Sequence, residues 1–333
     1  MNTKLRHISY CIIASLLFVA CRQESHPLTP EEDVEVMISM DAVSVDGMET
    51  SRAVITGNSG LQSVNLGIYG YKQITDGTKI QIFNNTELRY TNGSWDYSPK
   101  KYWDRTAHYY FIGYAPYMVT TNYAIDSNTL TISDIPYWQT INGQETDYLV
   151  ANSDDTAVDY LATETKSVDL EFSHILSQVV VKIVKDAALN NVEYKLTKVE
   201  YINVPAESAK ATYTYKPGDT SSYSDISIAA IVSKPNSDKG ETVTIANSNG
   251  TPITLSHLVV PFTLSGDSKV QIKVTYTIEG TERNKTVETQ IASLNAGKCN
   301  ELTLTFKGSE IIPSLSVKDW QNVEITEDPK YNW

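Results

Sequence analysis

Short segments in which apolar and polar residues alternate recur along this chain, and they limit the folds that it can adopt. The first runs over residues 34–40, where every second residue is apolar: Val34, Val36, Ile38 and Met40. A period of two is typical of a β-strand with one buried face. Similar segments follow at intervals of about 8–12 residues between turn-forming Gly, Asn and Asp, as in sandwiches and barrels. The pattern therefore predicts an all-β fold.

Residues that interrupt the alternation predict turns and loops. The pair Asn84-Asn85 separates two strand-like segments, residues 79–83 and 86–91, and predicts a hairpin between them. Residues 41–52 lose the period of two and are predicted to form an exposed loop. Residues 61–71 regain strand character.

A polar, acidic stretch at residues 152–167 divides the chain into two halves. A chain of 333 residues is long enough for two domains of ordinary size, each with its own core. We predict an N-terminal β-sandwich domain over residues 33–165 and a C-terminal β-sandwich domain over residues 166–333. The second domain is predicted to end in an extended strand at residues 311–326.

The start of the chain predicts export as a lipoprotein. A basic start precedes a nearly apolar run at residues 10–20, which is too short to span a bilayer. The run leads into Phe-Val-Ala-Cys, which resembles a lipobox and ends at Cys21. We predict a signal peptide over residues 1–20, an acyl chain such as palmitate on Cys21, and a flexible tether over residues 21–32. An ordinary signal peptide with an incidental cysteine is the alternative, which the abrupt polar sequence after Cys21 disfavours.

The acidic charge of the chain limits its partners. The formal net charge is −13, and the sequence contains no basic block. Such a chain is a poor partner for nucleic acid or for anionic lipid headgroups. Attachment to the outer membrane would therefore depend on the acyl chain of Cys21.

Sequence patterns of catalysis or metal binding are missing. No histidine stands in an H-E-x-x-H spacing or near a Gly-x-Ser-x-Gly elbow, and His174 reads as a structural histidine at a strand end. Cys299 is the only cysteine with a free side chain after the predicted processing, because Cys21 would be acylated, so it has no partner for an internal disulfide. We therefore predict no enzymatic activity, no cofactor and no metal site.

Three tryptophans leave a second functional class open. Trp95, Trp103 and Trp138 would stack on sugar rings if they formed an exposed platform. Such aromatic residues are more often part of a sandwich core. The alternative function is a lipid-anchored, glycan-binding protein of a polysaccharide uptake system, and a host or glycan ligand is a candidate partner.

Five segments, taken together, resemble the fimbrillin family, the pilin-like proteins of Bacteroidetes. One of these segments, residues 168–177, contains a Phe-x-His-x-Leu signature, which in this chain is Phe172 to Leu176. Two positions depart from the family pattern, because Asp104 stands where Pro is frequent and Asn300 replaces an aromatic residue. The segments are residues 51–55, 101–116, 147–151, 168–177 and 297–320.

The resemblance implies both a fold and a function. It implies two tandem transthyretin-like, Greek-key β-sandwich domains and a non-enzymatic structural or adhesive subunit of a surface fimbria (pilus). It also implies export as a lipoprotein to the cell outer membrane, followed by cleavage by an arginine-specific protease. The Ser-Arg-Ala sequence places that cleavage between Arg52 and Ala53.

Cleavage after Arg52 would remove the first predicted strand, with Val34, Val36, Ile38 and Met40. The vacated groove would then accept a strand from another fimbrial subunit. A plain surface arginine is the alternative interpretation of Arg52. The candidate donor-strand residues near the C-terminus are Leu315, Val317, Val323 and Ile325.

Overall fold

Nearly all of the regular structure in the described part of the chain is β-strand. The computed structural model describes residues 36–44, 54–104, 106–118, 121–140, 145–152, 158–159, 167–189, 192–204, 210–216, 239–241 and 253–320. Within these ranges, one short α-helix and one 3₁₀ turn accompany the strands. The prediction of an all-β fold is confirmed.

The described part of the first half contains ten strands and the helix. They are β1 Met40–Ser44, α1 Gly57–Gln62, β2 Leu66–Gln73, β3 Lys79–Thr91, β4 Ser94–Tyr97, β5 His108–Ala115, β6 Thr121–Ala124, β7 Thr129–Pro136, β8 Trp138–Thr140, β9 Leu149–Asn152 and β10 Val158–Asp159.

The second half continues with strands and the 3₁₀ turn. They are β11 Val168–His174, β12 Ser177–Lys185, the turn Ala187–Leu189, β13 Tyr194–Ile202, β14 Lys210–Tyr215, β15 Lys239–Glu241, β16 Ile253–Val259, β17 Phe262–Thr263, β18 Gln271–Ile278, β19 Thr281–Glu288, β20 Ser293–Leu294, β21 Lys298–Lys307 and β22 Glu310–Asp319.

These strands form several sheets. The first has the order β1-β11-β9-β5-β2-β3-β4, with β10 paired to β5, and the second has the order β22-β21-β12-β16-β8. Two smaller sheets have the orders β15-β13-β18-β19 and β14-β7-β6, and β17 pairs with β20. Most neighbours are antiparallel, but β1 is parallel to β11 and β12 is parallel to β21.

Several pairings join strands from the two halves of the chain. Strand β8 pairs with β16, β14 pairs with β7, and β11 pairs with β9. One apolar cluster accordingly contains Ile112 and Tyr114 from the first half together with Leu258 and Trp320 from the second. All described residues lie in the compact unit Val36–Trp333. The division into two domains at residues 165 and 166 stays a prediction.

Two further apolar clusters are separate from that shared one. The first, here called the N-terminal core, is formed by β1 to β5, β9 and β11, and it includes Phe83, Phe111 and Phe172. The other, here called the C-terminal core, joins the sheet that contains β12 and β21 to the sheet that contains β13 and β18. In both, buried residues alternate with exposed ones along the strands, as β11 illustrates.

The predicted hairpin at Asn84-Asn85 is wrong. Residues 79–91 form one strand, β3, whose two parts both pair with β2 through a register shift. The shift lies where Asn85 adopts a φ of 48°, a left-handed conformation that asparagine tolerates. The Asn85 side-chain amide donates to the Met118 carbonyl oxygen at 3.0 Å. The asparagine pair therefore marks a bulge within a strand.

The start of the chain differs from its prediction in three respects. Of the described residues in the strand predicted at residues 34–40, only Met40 lies in β1, and Met37 forms an isolated bridge with Tyr102. Residues 41–44, predicted as loop, belong to β1 because they pair with β11. The strand predicted at residues 61–71 begins at Leu66, because the residues before it form α1. Within the described ranges, no helix combines the length and apolar character that crossing a membrane requires.

Candidate functional site

Residues 36–44, here called the N-terminal segment, lie between two parts of the first sheet. On one side the segment runs antiparallel to residues 101–103, with Met37 opposite Tyr102. The Ile38 N–H donates to the Lys101 carbonyl oxygen, and the Trp103 N–H donates to the Val36 carbonyl oxygen, both at 2.9 Å. These bonds fix the first half of the segment against the chain that follows β4.

The second half of the segment changes its partner. Strand β1 runs parallel to β11, with Met40 opposite Val168 and Ser44 opposite Phe172. The Val168 N–H donates to the Ser39 carbonyl oxygen at 2.8 Å. The segment thus pairs with β11 through its second half and with residues 101–103, which follow β4, through its first half. We call the space that it fills the N-terminal groove.

The side chains of the segment alternate between the core and solvent. Ile38, Met40 and Ala42 are 0%, 3% and 6% exposed, whereas Met37 is 41% exposed and Asp41 points to solvent. Full burial of an aliphatic side chain contributes about 1.5–3 kcal/mol for Ile or Met. The three inward residues therefore make the segment a part of the N-terminal core.

Aromatic side chains form one wall of the groove. Phe83 packs edge-to-face on Tyr97 and on Phe111, and Trp103 packs edge-to-face on Phe111. The Tyr97 hydroxyl donates to the Ile38 carbonyl oxygen at 2.7 Å. Burial raises the pKa of Tyr97, so the phenol stays protonated and keeps this donor at neutral pH.

A buried polar cluster lies where the chain continues after the predicted cleavage site. The Asp147 carboxylate accepts a hydrogen bond from the Ile55 N–H at 3.1 Å and lies 2.9 Å from Nδ1 of His174. The His174 ring stacks on Trp320, with 4.0 Å between the ring centroids and 9° between the planes. Asp147 and His174 are both almost fully buried. The cluster connects residues just after the predicted cleavage site to Trp320, which follows β22.

The structure brings together some of the residues that the sequence singled out. Val36, Ile38 and Met40 lie in the N-terminal segment, as their alternation indicated. Cys21, Val34, Arg52, Ala53, Val323 and Ile325 lie outside the described residues. Val54 and Ile55, directly after the predicted cleavage site, are buried.

Two candidate donor residues lie in the chain's own second sheet. Leu315 and Val317 belong to β22, which pairs with β21 over its whole length. Leu315 packs against the C-terminal core, whereas Val317 is 54% exposed. These residues are available to another subunit only if β22 leaves β21.

The three tryptophans are core residues, which is the interpretation that the sequence favoured, and they do not form the exposed platform of the alternative. Trp95, Trp103 and Trp138 are 9%, 9% and 4% exposed and belong to the apolar clusters. Cys299 is buried, and burial raises the pKa of its thiol to about 12, so it is a poor nucleophile. Within the described ranges, no group of three or more His, Cys, Asp and Glu side chains could hold a metal ion.

Sequence reasoning missed two parts of this site. Ala42 continues the alternation of Ile38 and Met40, but alanine is a weak apolar signal and the strand was ended too early. The cluster of Asp147, His174 and Trp320 joins residues far apart in the chain. The only local signal was that all three belong to segments that resemble one family.

Comparison with known proteins agrees with this architecture. The chain matches a fimbrial protein from Bacteroides vulgatus at 17% identity and a TM-score of 0.55, over 86% of this chain and 99% of that one. It also matches a putative cell adhesion protein from Bacteroides ovatus at 13% identity and a TM-score of 0.51, over 86% and 97%. At these identities the likeness concerns the fold. No curated protein matches.

The sequence profile of fimbrillin-like proteins matches residues 51–320, which is most of the chain. The match begins next to the predicted cleavage site and ends at Trp320 of the buried polar cluster. The chain therefore belongs to the fimbrillin-like family.

Proposed function

We propose that this protein is a non-enzymatic structural subunit of a surface fimbria that assembles by strand exchange. Membership of the fimbrillin-like family supports the fimbrial role. In this proposal the chain is exported as a lipoprotein, attached to the outer membrane through Cys21 and cleaved after Arg52 by an arginine-specific protease. Its partners are other fimbrial subunits, and a host or glycan ligand remains a candidate for adhesion.

The observation that carries the proposal is the N-terminal groove. Hydrolysis of the peptide bond after Arg52 would detach everything before Ala53, including the segment with Ile38, Met40 and Ala42. Once the segment left, the N–H groups of Trp103 and Val168 and the Lys101 carbonyl oxygen would lose the backbone hydrogen bonds that the segment supplies. An apolar groove with unpaired backbone groups is a template for a strand from another chain.

The residues after the cleavage site would stay in place. Val54 and Ile55 are buried, and the Ile55 N–H is bound by Asp147. Cleavage would therefore open the groove without detaching the chain that leads into α1. This separation between a removable segment and an anchored new terminus supports processing at Arg52 as a defined step.

The alternative of a glycan-binding protein has lost its main support. A lipobox and tandem β-sandwiches are expected for both functions, so the distinguishing feature was an exposed row of tryptophans, and the three candidates are core residues. No other observation in the described residues favours it over the fimbrial role.

The proposal is tested by treating the chain from residue 22 onward with an arginine-specific protease. The Arg52→Lys variant is the matched control, because it keeps the charge but removes the cleavage site. Cleavage is expected to release the fragment before Ala53, seen by mass spectrometry, and to lower the melting temperature. An unchanged melting temperature after complete cleavage at Arg52 would contradict strand exchange.

A second test asks where the processed chain goes. In the bacterium that makes it, antibodies against the processed chain should label surface filaments in electron micrographs. The Arg52→Lys chain should stay in the membrane fraction. Processed protein found only as free monomer would contradict the fimbrial role.

A further inference from the structure

We infer that the N-terminal groove selects a donor strand with two large apolar residues followed by a small one at alternate positions, supplied by a different subunit. This inference rests on the proposed function, because it names the partner of the same groove. It is argued from the three inward side chains of the resident segment, which are a template for any strand that replaces them.

The first two positions require large apolar side chains. Ile38 is 0% exposed and Met40 is 3% exposed, so a polar side chain in either place would be buried without a partner. The first position also requires an N–H group, because Ile38 donates to the Lys101 carbonyl oxygen. Proline is therefore excluded there.

The third position requires a small side chain. Ala42 is 6% exposed, lies in the N-terminal core and faces Leu170 of β11 across the parallel pairing. A large side chain would overpack this site, and a carboxylate would be buried without a cation. The outward positions are tolerant, since Asp41 points to solvent and its carboxylate accepts a hydrogen bond from Ser167 at 3.1 Å.

The C-terminal sequence of this chain does not meet these requirements. The best candidate is Val323, Ile325 and Glu327, which has the two large residues but places a carboxylate at the position of Ala42. Leu315, Val317 and Asp319 fail in the same way. Every set of three alternating residues between 310 and 333 contains a polar side chain or a proline.

The orientation of the pattern is also defined. The resident segment runs parallel to β11, with Met40 opposite Val168 and Ala42 opposite Leu170. A donor in the same orientation reads large, large, small from its N-terminal end. A second copy of this chain carries that pattern in residues 36–44, but on the side of Arg52 that cleavage removes. The donor is therefore expected from a different fimbrial subunit.

The inference is tested with peptides added to the processed chain. The peptide of residues 34–44 should bind, and its Ala42→Glu variant should bind at least ~100-fold more weakly. An Asp41→Glu peptide is the matched control and should bind within about threefold of the original, because that position is exposed. The peptide of residues 321–331 should bind as weakly as the Ala42→Glu peptide.

A rescue gives the sharper result. Glu327→Ala converts residues 323–327 into the required pattern, so the altered 321–331 peptide should gain at least ~10-fold in affinity. In the full chain, the same substitution should let the protein form oligomers on its own after cleavage, seen by size-exclusion chromatography. The unaltered processed chain should stay monomeric.

The outcomes separate this inference from the proposed function. If the 34–44 peptide binds and the unaltered 321–331 peptide binds equally well, the groove accepts a second copy and the inference is overturned. The same holds if Ala42→Glu has no effect. If no peptide binds, including 34–44, strand exchange fails and the inference fails with it.

Discussion

The N-terminal segment and strand β22 both contain extended chain at one end of a strand order, but they are held very differently. The segment contacts a partner on each side and buries Ile38, Met40 and Ala42. Among the described strands, β22 pairs with β21 alone, and Ile312 and Val317 are 42% and 54% exposed.

The difference indicates which of the two the fold depends on. An edge strand with one partner and an internal proline, such as β22 with Pro313, is typical of a protected edge. A segment that completes a core leaves a defined gap when it is removed. This contrast supports the N-terminal groove as the acceptor, and the following substitutions test it.

The largest effect is expected at the cluster that joins the two regions. Asp147→Ala removes the acceptor for the Ile55 N–H and leaves His174 beside Trp320 without its carboxylate. The loss of a buried pair member should lower the free energy of unfolding by about 3–5 kcal/mol. Denaturant unfolding measures it, and Asp147→Asn, which keeps an acceptor oxygen, should cost clearly less. Equal stability of Asp147→Ala and the parent chain would show that the buried polar cluster does not stabilise the fold.

A smaller but still large effect is expected for Ile38→Ala in the uncleaved chain. Ile38 is fully buried, so the substitution leaves a cavity in the N-terminal core and should cost about 2–4 kcal/mol. After cleavage at Arg52, the same substitution should have no effect on the remaining chain, because the residue is no longer there. A cost that persisted after cleavage would show that the segment does not leave.

Tyr97→Phe tests the polar contact between the groove wall and the segment. It removes the hydroxyl that donates to the Ile38 carbonyl oxygen at 2.7 Å and keeps the ring that packs on Phe83. A buried carbonyl left without a donor should cost about 1–2 kcal/mol, measured by thermal unfolding. A stability within error of the parent would mean that this bond adds nothing.

The smallest effect is expected in β22. Val317 is more than half exposed, so Val317→Ala should change stability by no more than about 0.5 kcal/mol. The loss of stability in Ile38→Ala, measured in the same way, is the reference for this comparison. A loss at Val317 as large as that at Ile38 would show that β22 is as integral to the fold as the N-terminal segment.

Local patterns predicted the strands well where the signal was strong. The alternation of Ile38 and Met40 correctly indicated that both side chains are buried, although β1 begins only at Met40. Val168, Leu170 and Phe172 line the buried face of β11. The fold class followed from such segments, because side-chain periodicity is a property of the local sequence.

Long-range features were not readable in the same way. Asn84-Asn85 has the chemistry of a turn, but both flanking segments pair with β2, and this pairing decides for a continuous strand. Residues 41–44 become a strand because β11 lies beside them, although more than a hundred residues separate the two in the sequence.

The candidate site also combines features that follow from the local sequence with features that depend on tertiary packing. The burial of Ile38 and Met40 was predicted from the alternation, whereas that of Ala42 was missed. The contacts of Asp147 with Ile55 and His174 were not predicted, because they depend on the packing of several strands. The burial of Trp95, Trp103 and Trp138 likewise follows from tertiary packing. The sequence alone does not show this packing, so it left an exposed platform open as an alternative.

Amide hydrogen exchange in β11 tests the central claim most directly. The Val168 N–H is bound to the Ser39 carbonyl oxygen of the N-terminal segment, so it should be protected in the uncleaved chain. After cleavage at Arg52 and removal of the fragment, protection at residue 168 should fall at least ~100-fold, and the 34–44 peptide should restore it. Protection that is unchanged by cleavage would contradict the account, because the groove would then not open.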